Sequence, residues 1–245
     1  MAEQQPRAIL LDVEGTTTPV EFVYEVLFPF ARLRVAEFLR RHQDSDDVRA
    51  DIDALKAERA ADVEAGRAPP EWLEDSADST RESAVRYVHR LMDQDRKSTA
   101  LKSLQGKVWE EGYARGELRG SVYGDVQPAF ERWRAQGRSI YIYSSGSVLA
   151  QRLLFAHTAE GDLTVYIGGH FDTTTGPKSS AASYRSIADD IGAHTDDVLF
   201  LSDSTAELDA AREAGMRTAL CVRPGSPEPK TQTHARVETF DVLFP

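Results

Sequence analysis

Two carboxylates, Asp12 and Glu14, stand two residues apart in ILLDVEGTTTP, where an apolar run stops and Gly15 lets the chain turn sharply. At such a spacing one carboxylate can attack phosphorus as a nucleophile while the other protonates the departing oxygen, and both can help hold a hard cation. Farther along, SIYIYSSGSVLAQ offers hydroxyls and free main-chain N–H groups at a helix start, a ready phosphate site. Lys178, after the Gly176-Pro177 turn, can balance phosphoryl charge. Asp203 ends the run VLFLSD, and Glu207 follows four residues later in the first turn of a helical pattern, where the macrodipole favours a carboxylate. Each motif alone also has a plain structural reading: Ser145 or Ser147 as a helix cap, Lys178 as a solvated cation, Asp203 or Glu207 as a cap. Their order and their shared place at strand ends favour phosphoryl transfer, which asks for a nucleophile, an acid, charge neutralisation and phosphate donors.

The elements that must carry these residues follow from the hydrophobic pattern. Apolar runs at Ala8–Val13, Ser139–Tyr143, Leu163–Ile167, Val198–Leu201 and Thr218–Val222 predict buried strands. Helical patterns lie between them at Val126–Gln136, Val148–His157, Ser180–Ile191 and Glu207–Ala214, the last two stopping at Gly192 and Gly215. This alternation predicts an α/β fold, a doubly wound and mainly parallel sheet whose ligand site lies at the carboxyl ends of its strands. Residues 20–119 break the alternation with charged amphipathic helical patterns and no persuasive strand. They predict a helical cap domain inserted into a core of residues 1–19 and 120–245. A break is expected at GRAPPEW, and a loop and cap at DSADST. The tail beyond Pro224 is Pro-rich and polar before a short apolar end, and its role is not legible.

Composition narrows the classes of function. The chain has 245 residues, 41% of them hydrophobic, enough for one core and an elaboration. A net charge of -11 opposes broad contact with nucleic acid or anionic lipid, so any phosphate must be held locally. A single cysteine, Cys221, and six scattered histidines argue against an internal disulfide or a structural zinc site. No apolar run reaches the roughly 20 residues of a membrane span, and MAEQQPRAILLDVEG lacks the features of a signal peptide. A cytoplasmic protein is expected. There is no GxxxxGK[ST] loop, which disfavours a P-loop enzyme.

Taken together, DVEGT, SSGS, GPKSS and LSDSTAEL resemble, in order, the four motifs of the haloacid-dehalogenase-like superfamily. The longer segments DVEGTTTPVEFVYEVLFPFAR, TALKSLQGKVWEEGYARGEL and GGHFDTTTGPKSSAASY are similar to the enolase-phosphatase (acireductone synthase) family within it, and the likeness runs from about Ala8 to Pro224. The resemblance implies that Asp12 is the nucleophile and a Mg²⁺ ligand, and that Glu14 is the general acid with a second metal contact through its backbone carbonyl. Asp203 completes the ligands of one Mg²⁺ per subunit, Ser144 and Ser145 bind the substrate phosphate, and Lys178 neutralises phosphoryl charge. Glu207 acts on the metal through water. Ser204, where relatives carry an apolar residue, and Phe30, where tyrosine is frequent, depart from the pattern. The implied activity belongs to methionine salvage: enolisation of 2,3-diketo-5-methylthiopentyl-1-phosphate and hydrolysis of the enol phosphate, by a monomer whose only partner is that small phosphorylated metabolite. The insertion is expected to act as a lid, with Phe22, Tyr24, Phe28, Trp109 and Tyr113 as candidates to line it. The alternative is a Mg²⁺-dependent phosphatase of another small phosphometabolite.

Overall fold

A computed structural model describes residues 5–226 and 233–245; residues 1–4, and residues 227–232 of the Pro-rich stretch, lie outside the described residues. In chain order the first strand, β1 (Ala8–Leu11), leads into a loop and a π-helical turn (Phe22–Leu27). Four helices follow: α1 (Phe28–Arg41), α2 (Asp46–Glu64), α3 (Ala77–Asp93) and α4 (Thr99–Ala114). Thereafter the chain alternates: α5 (Val126–Ala135), β2 (Ser139–Tyr143), α6 (Val148–Ala156), β3 (Ile167–Phe171), α7 (Ala181–Asp190), β4 (Val198–Ser202), α8 (Thr205–Glu213), β5 (Arg217–Cys221) and β6 (Ala235–Val237). The described residues divide into two compact units, one of those before residue 24 with those from 119 onward and one of residues 24–118.

The first unit is built on a six-stranded sheet in the order β3-β2-β1-β4-β5-β6, every neighbouring pair parallel. Parallel sheets need cover on both faces, and β1 shows it: all four of its residues are buried. Register sets Leu11 beside Ile142 of β2 and Leu201 of β4. The residues one step onward, Asp12, Tyr143 and Ser202, therefore sit level at the carboxyl edge. Beneath one face Tyr143 meets Tyr184 edge to face and Tyr184 meets Phe200 at a tilt, with ring centroids 5.5 and 5.1 Å apart.

One expected strand is displaced. The run at Leu163–Ile167 is not a strand; Thr164–Tyr166 is a 3-10 turn, and the strand starts at Ile167 and ends at Phe171. The cause is local, since the Asp162 carboxylate accepts from both the N–H and the hydroxyl of Thr164 and winds the chain. The glycines of Gly168-Gly169 then form the strand because the Tyr141 ring lies against them, 3.1 to 3.5 Å from where a side-chain carbon would begin. A sixth strand, β6, adds an edge that hydrophobic pattern did not suggest. The C-terminal residues beyond it are tied down through carbonyls: Arg132 donates to those of Phe240, Leu243 and Phe244, and the Trp133 indole N–H to Leu243.

The second unit is helical among its described residues. Ser76 caps α3 in a reciprocal pair with Ser79, as the DSADST segment suggests, and Ser98 caps α4. Its core holds a fully buried acid, Asp62, which accepts from Arg96, Arg67 and the Tyr87 hydroxyl. Burial alone would raise the Asp62 carboxyl, but hydrogen bonds from Arg96, Tyr87 and Arg67 hold it down at about 2. Among the aromatics, Trp109 is buried and its indole N–H donates to the Leu27 carbonyl at 2.8 Å, while Tyr24 is half exposed and meets Phe28 edge to face. Phe30 lies flat against Gly112, where any side chain would collide with its ring.

Candidate active site

Asp12 leaves β1 at the centre of the sheet and is 6% exposed. Its N–H donates to the Leu201 carbonyl at 2.9 Å, so the chain is still paired with β4 as the side chain enters the site. The loop that follows coils around a single acceptor: the N–H groups of Thr16, Thr17 and Thr18 all point at the Val13 carbonyl, between 2.9 and 3.2 Å. The Gly15 N–H closes the loop onto the Thr18 carbonyl, and the Thr17 hydroxyl ties back to the carbonyls of Asp12 and Val13. Gly15 has φ of +68°, and a side chain there would run into the Asp203 carboxylate. The loop bearing Glu14 is thereby packed directly on Asp203.

Lys178 reaches the same point from the far side. Its ammonium donates to Asp12 Oδ1 at 2.5 Å and lies 2.7 Å from Glu207 Oε2, with its side chain 7% exposed. Burial would lower its pKa, but the charges of Asp12 and Glu207 outweigh that and raise it, so the lysine stays protonated. The Gly-Pro-Lys turn is fixed from below: Tyr143, Ser183 and Tyr184 each donate a hydroxyl hydrogen, to the carbonyls of Gly176, Pro177 and Lys178 at 2.8 to 2.9 Å. Lys178 is therefore a buried, oriented charge. The bland alternative, a solvated cation, does not describe it.

Ser202, the last residue of β4, is fully buried between the two acids. Its hydroxyl lies 2.9 Å from Glu207 Oε2 and 3.3 Å from Asp12 Oδ2, and it accepts from the Ser204 N–H at 3.1 Å. One hydroxyl proton serves one acid at a time, and the shorter contact gives it to Glu207. Ser202 is absent from the residues singled out in the sequence, although its place directly before Asp203 at a strand end was a usable signal. Asp203 itself does not cap α8; that position belongs to Ser204.

On the β2 side, Ser147 is the residue that caps α6, accepting from the Ala150 N–H. This leaves Ser144 and Ser145 free of that duty. Ser144 is buried and its hydroxyl accepts from the Gly146 N–H at 3.0 Å; Ser145 is partly exposed at the mouth of the turn. Gln151 and Asp172 hold this turn in place, Gln151 by donating to the carbonyls of Gly146 and Phe171, and Asp172 by accepting from the Val148 N–H.

The charge set suits a hard divalent cation. The Asp203 carboxyl is pushed up to about 6, by the protein packed around it and then by the charge of Asp12, with Glu14 adding to it. Its side chain is nonetheless open to water, which screens part of that effect. Among the described residues no three His, Cys, Asp or Glu side chains gather into a metal cluster. A cation seated among these carboxylates would draw on main-chain oxygen and water as well, as Mg²⁺ commonly does.

The haloacid dehalogenase-like hydrolase family model matches residues 6–215. The chain is 50% identical over 235 residues to enolase-phosphatase E1 of Synechococcus elongatus, covering 96% of both chains. It is 46% identical over 245 residues to enolase-phosphatase E1 of Sorangium cellulosum, covering all of both. Among solved structures, the UTR4 protein of Saccharomyces cerevisiae superposes with a TM-score of 0.78 at 34% identity, over 98% of this chain and all of that one.

Proposed function

The chain belongs to the enolase-phosphatase E1 family of haloacid dehalogenase-like hydrolases, and on that premise we propose the reaction and the residues that carry it. The enzyme enolises 2,3-diketo-5-methylthiopentyl-1-phosphate and hydrolyses the enol phosphate to 1,2-dihydroxy-3-keto-5-methylthiopentene and phosphate, a step of methionine salvage. The observation that supports this most directly is the buried contact of Asp12 with Lys178 beside Glu207, at the centre of the sheet edge.

In the hydrolytic half, Asp12 attacks phosphorus and the bond to the enol oxygen breaks with its electron pair. Glu14 delivers a proton to that oxygen, and water then opens the aspartyl phosphate, returning a proton to Glu14. Ser144 and Ser145 hold the phosphoryl oxygens while Lys178 balances their charge. Asp12, Asp203 and the Glu14 carbonyl would hold one Mg²⁺ per chain, with Glu207 near enough to act on it through water. When bound it supplies Lewis-acid polarisation of oxygen. The helical unit, residues 24–118, has the part of a cap governing which ester is accepted. We further propose that the enzyme is a cytoplasmic monomer, and a stable dimer in sedimentation would overturn that last point. No described helix is long and apolar enough to cross a membrane.

The test supplies the diketo phosphate with Mg²⁺ or with excess EDTA, following enediol ultraviolet absorbance and free phosphate together. Both signals appear only with Mg²⁺, and neither with Asp12→Asn. Phosphate from other esters but not from this one would mean a phosphatase of a different metabolite, and turnover by Asp12→Asn would place the nucleophile elsewhere.

A further inference from the structure

Two residues past β5, on the same edge of the sheet as Asp12, lies a buried cation outside the reaction as written. Arg223 is 3% exposed, and its guanidinium is clasped between the rings of Tyr123 and Phe240, 4.4 and 4.3 Å from their centroids. Its Nε and Nη2 hydrogens both point at one acceptor, the Thr16 carbonyl, at 2.9 and 2.7 Å. Nη1 donates to Asp125 Oδ2 at 2.6 Å and to the Glu238 carbonyl at 3.3 Å. Asp125 in turn accepts from the Phe240 N–H at 2.6 Å, so the C-terminal residues complete the cage.

The use of this charge is unusual. A lone main-chain carbonyl is ordinarily satisfied by one N–H or by water, whereas burying a guanidinium costs several kcal/mol before its partners repay it. Here the planar edge, suited to a carboxylate, is spent on the carbonyl of a loop residue. That loop is the coil around Val13 in which the N–H groups of residues 15–18 are committed to the loop's own carbonyls, with the Tyr123 N–H holding the Thr17 carbonyl beside it. Fixing Thr16 from outside leaves the segment from Asp12 to Thr18 held at both ends.

We propose that Arg223 is a positioning residue for this loop, acting through the Thr16 carbonyl to set Glu14 and Asp12 against the phosphoryl group. The assignment rests on the reading of Glu14 as general acid. An ammonium cannot span the Thr16 carbonyl and Asp125 as the fork does, so Arg223→Lys keeps the charge and loses the geometry.

The experiment measures kcat/KM for a series of aryl phosphates of graded leaving-group acidity, with Mg²⁺, alongside thermal unfolding. Glu14→Gln, lacking the proton, depends steeply on the leaving group. Arg223→Lys and Arg223→Gln move from the wild-type slope toward that steep one, losing on the order of 10²-fold on the poorest leaving groups, the scale of a small misplacement, with KM little changed. Tyr123→Leu, which loosens the clasp and keeps the guanidinium, shifts the slope the same way by less. Arg138→Gln, which frees the Pro6 carbonyl and the Phe244 ring without touching Arg223 or its cage, lowers the unfolding temperature and keeps the wild-type slope. Arg223 variants with a wild-type slope would reduce the residue to a scaffold and overturn the proposal. A wild-type slope in Glu14→Gln would instead show that the acid is misassigned.

Discussion

Lys178 and Asp12, 166 positions apart in the chain, meet at 2.5 Å with both side chains nearly sealed from water. On the proposed reaction, the attacking carboxylate is thus held by the cation that then balances the transferred phosphoryl group. Lys178→Met removes that charge and leaves Asp12 and Glu207 facing each other without a counterion. We expect kcat to fall by about 10²- to 10³-fold, the scale of losing one oriented electrostatic group. Steady-state kinetics with saturating Mg²⁺ checks this, and a loss confined to KM would assign Lys178 to uniform binding alone.

Gly15→Ala tests the packing of the nucleophile loop on Asp203. The backbone sits at positive φ and the new methyl meets the Asp203 carboxylate. Strain of about 1–2 kcal/mol is expected from the conformation alone, together with displacement of Asp203. Activity titrated against Mg²⁺ should shift to higher concentration as well as to a lower maximum. An unchanged Mg²⁺ midpoint would separate Gly15 from metal binding.

Asp203→Asn should also weaken Mg²⁺ while changing stability in the opposite sense. Its carboxyl, at about 6 against an ordinary value of 3.8, carries a native-state penalty that is absent below about pH 4 and fully present above pH 6. In EDTA the asparagine variant should unfold at higher temperature than the wild type at pH 8, and the gain should vanish by pH 4. Scanning calorimetry across that range reads the sign directly.

For the helical unit, Asp62→Asn is expected to destabilise by about 3 kcal/mol, because Arg96, Arg67 and Tyr87 lose a shared buried acceptor of full charge. The Asp62 carboxyl is held at about 2, below its ordinary 3.8, so its contribution is complete above about pH 4 and fades as the pH falls toward 2. Wild type and variant should therefore differ most at neutral pH and converge in acid. Chemical denaturation at both ends of that range measures the difference.

Much of this site is legible in the sequence because parallel strands end where the chemistry must sit. Asp12, Ser144 and Asp203 each follow a strand whose apolar run announces it, and Lys178 follows a turn marked by glycine and proline. What pattern could not show is what distant segments contribute. Ser202 stands beside a strand end in the sequence, but only the pairing of β4 with β1 brings its hydroxyl level with Asp12. Arg223 reads as a surface charge after a strand, since its partners Thr16, Asp125 and Phe240 come from three remote stretches. The displaced β3 has the opposite cause: hydrophobicity named Leu163–Ile167, but one Asp-Thr turn wound that run and left glycines to form the strand.

The placement of β1 has a consequence for how the molecule is made. Its four residues are synthesised before every other described strand, yet both hydrogen-bonded neighbours, β2 and β4, begin only at Ser139 and Val198. The helical unit, continuous from residue 24 to 118, is complete before either arrives. A buried, wholly apolar strand must therefore wait unpaired while most of the chain is translated, closing a long loop before it is rewarded. β1 is the segment that a holding chaperone would have most reason to cover, and truncation anywhere before β4 leaves the strand that carries Asp12 without its second neighbour.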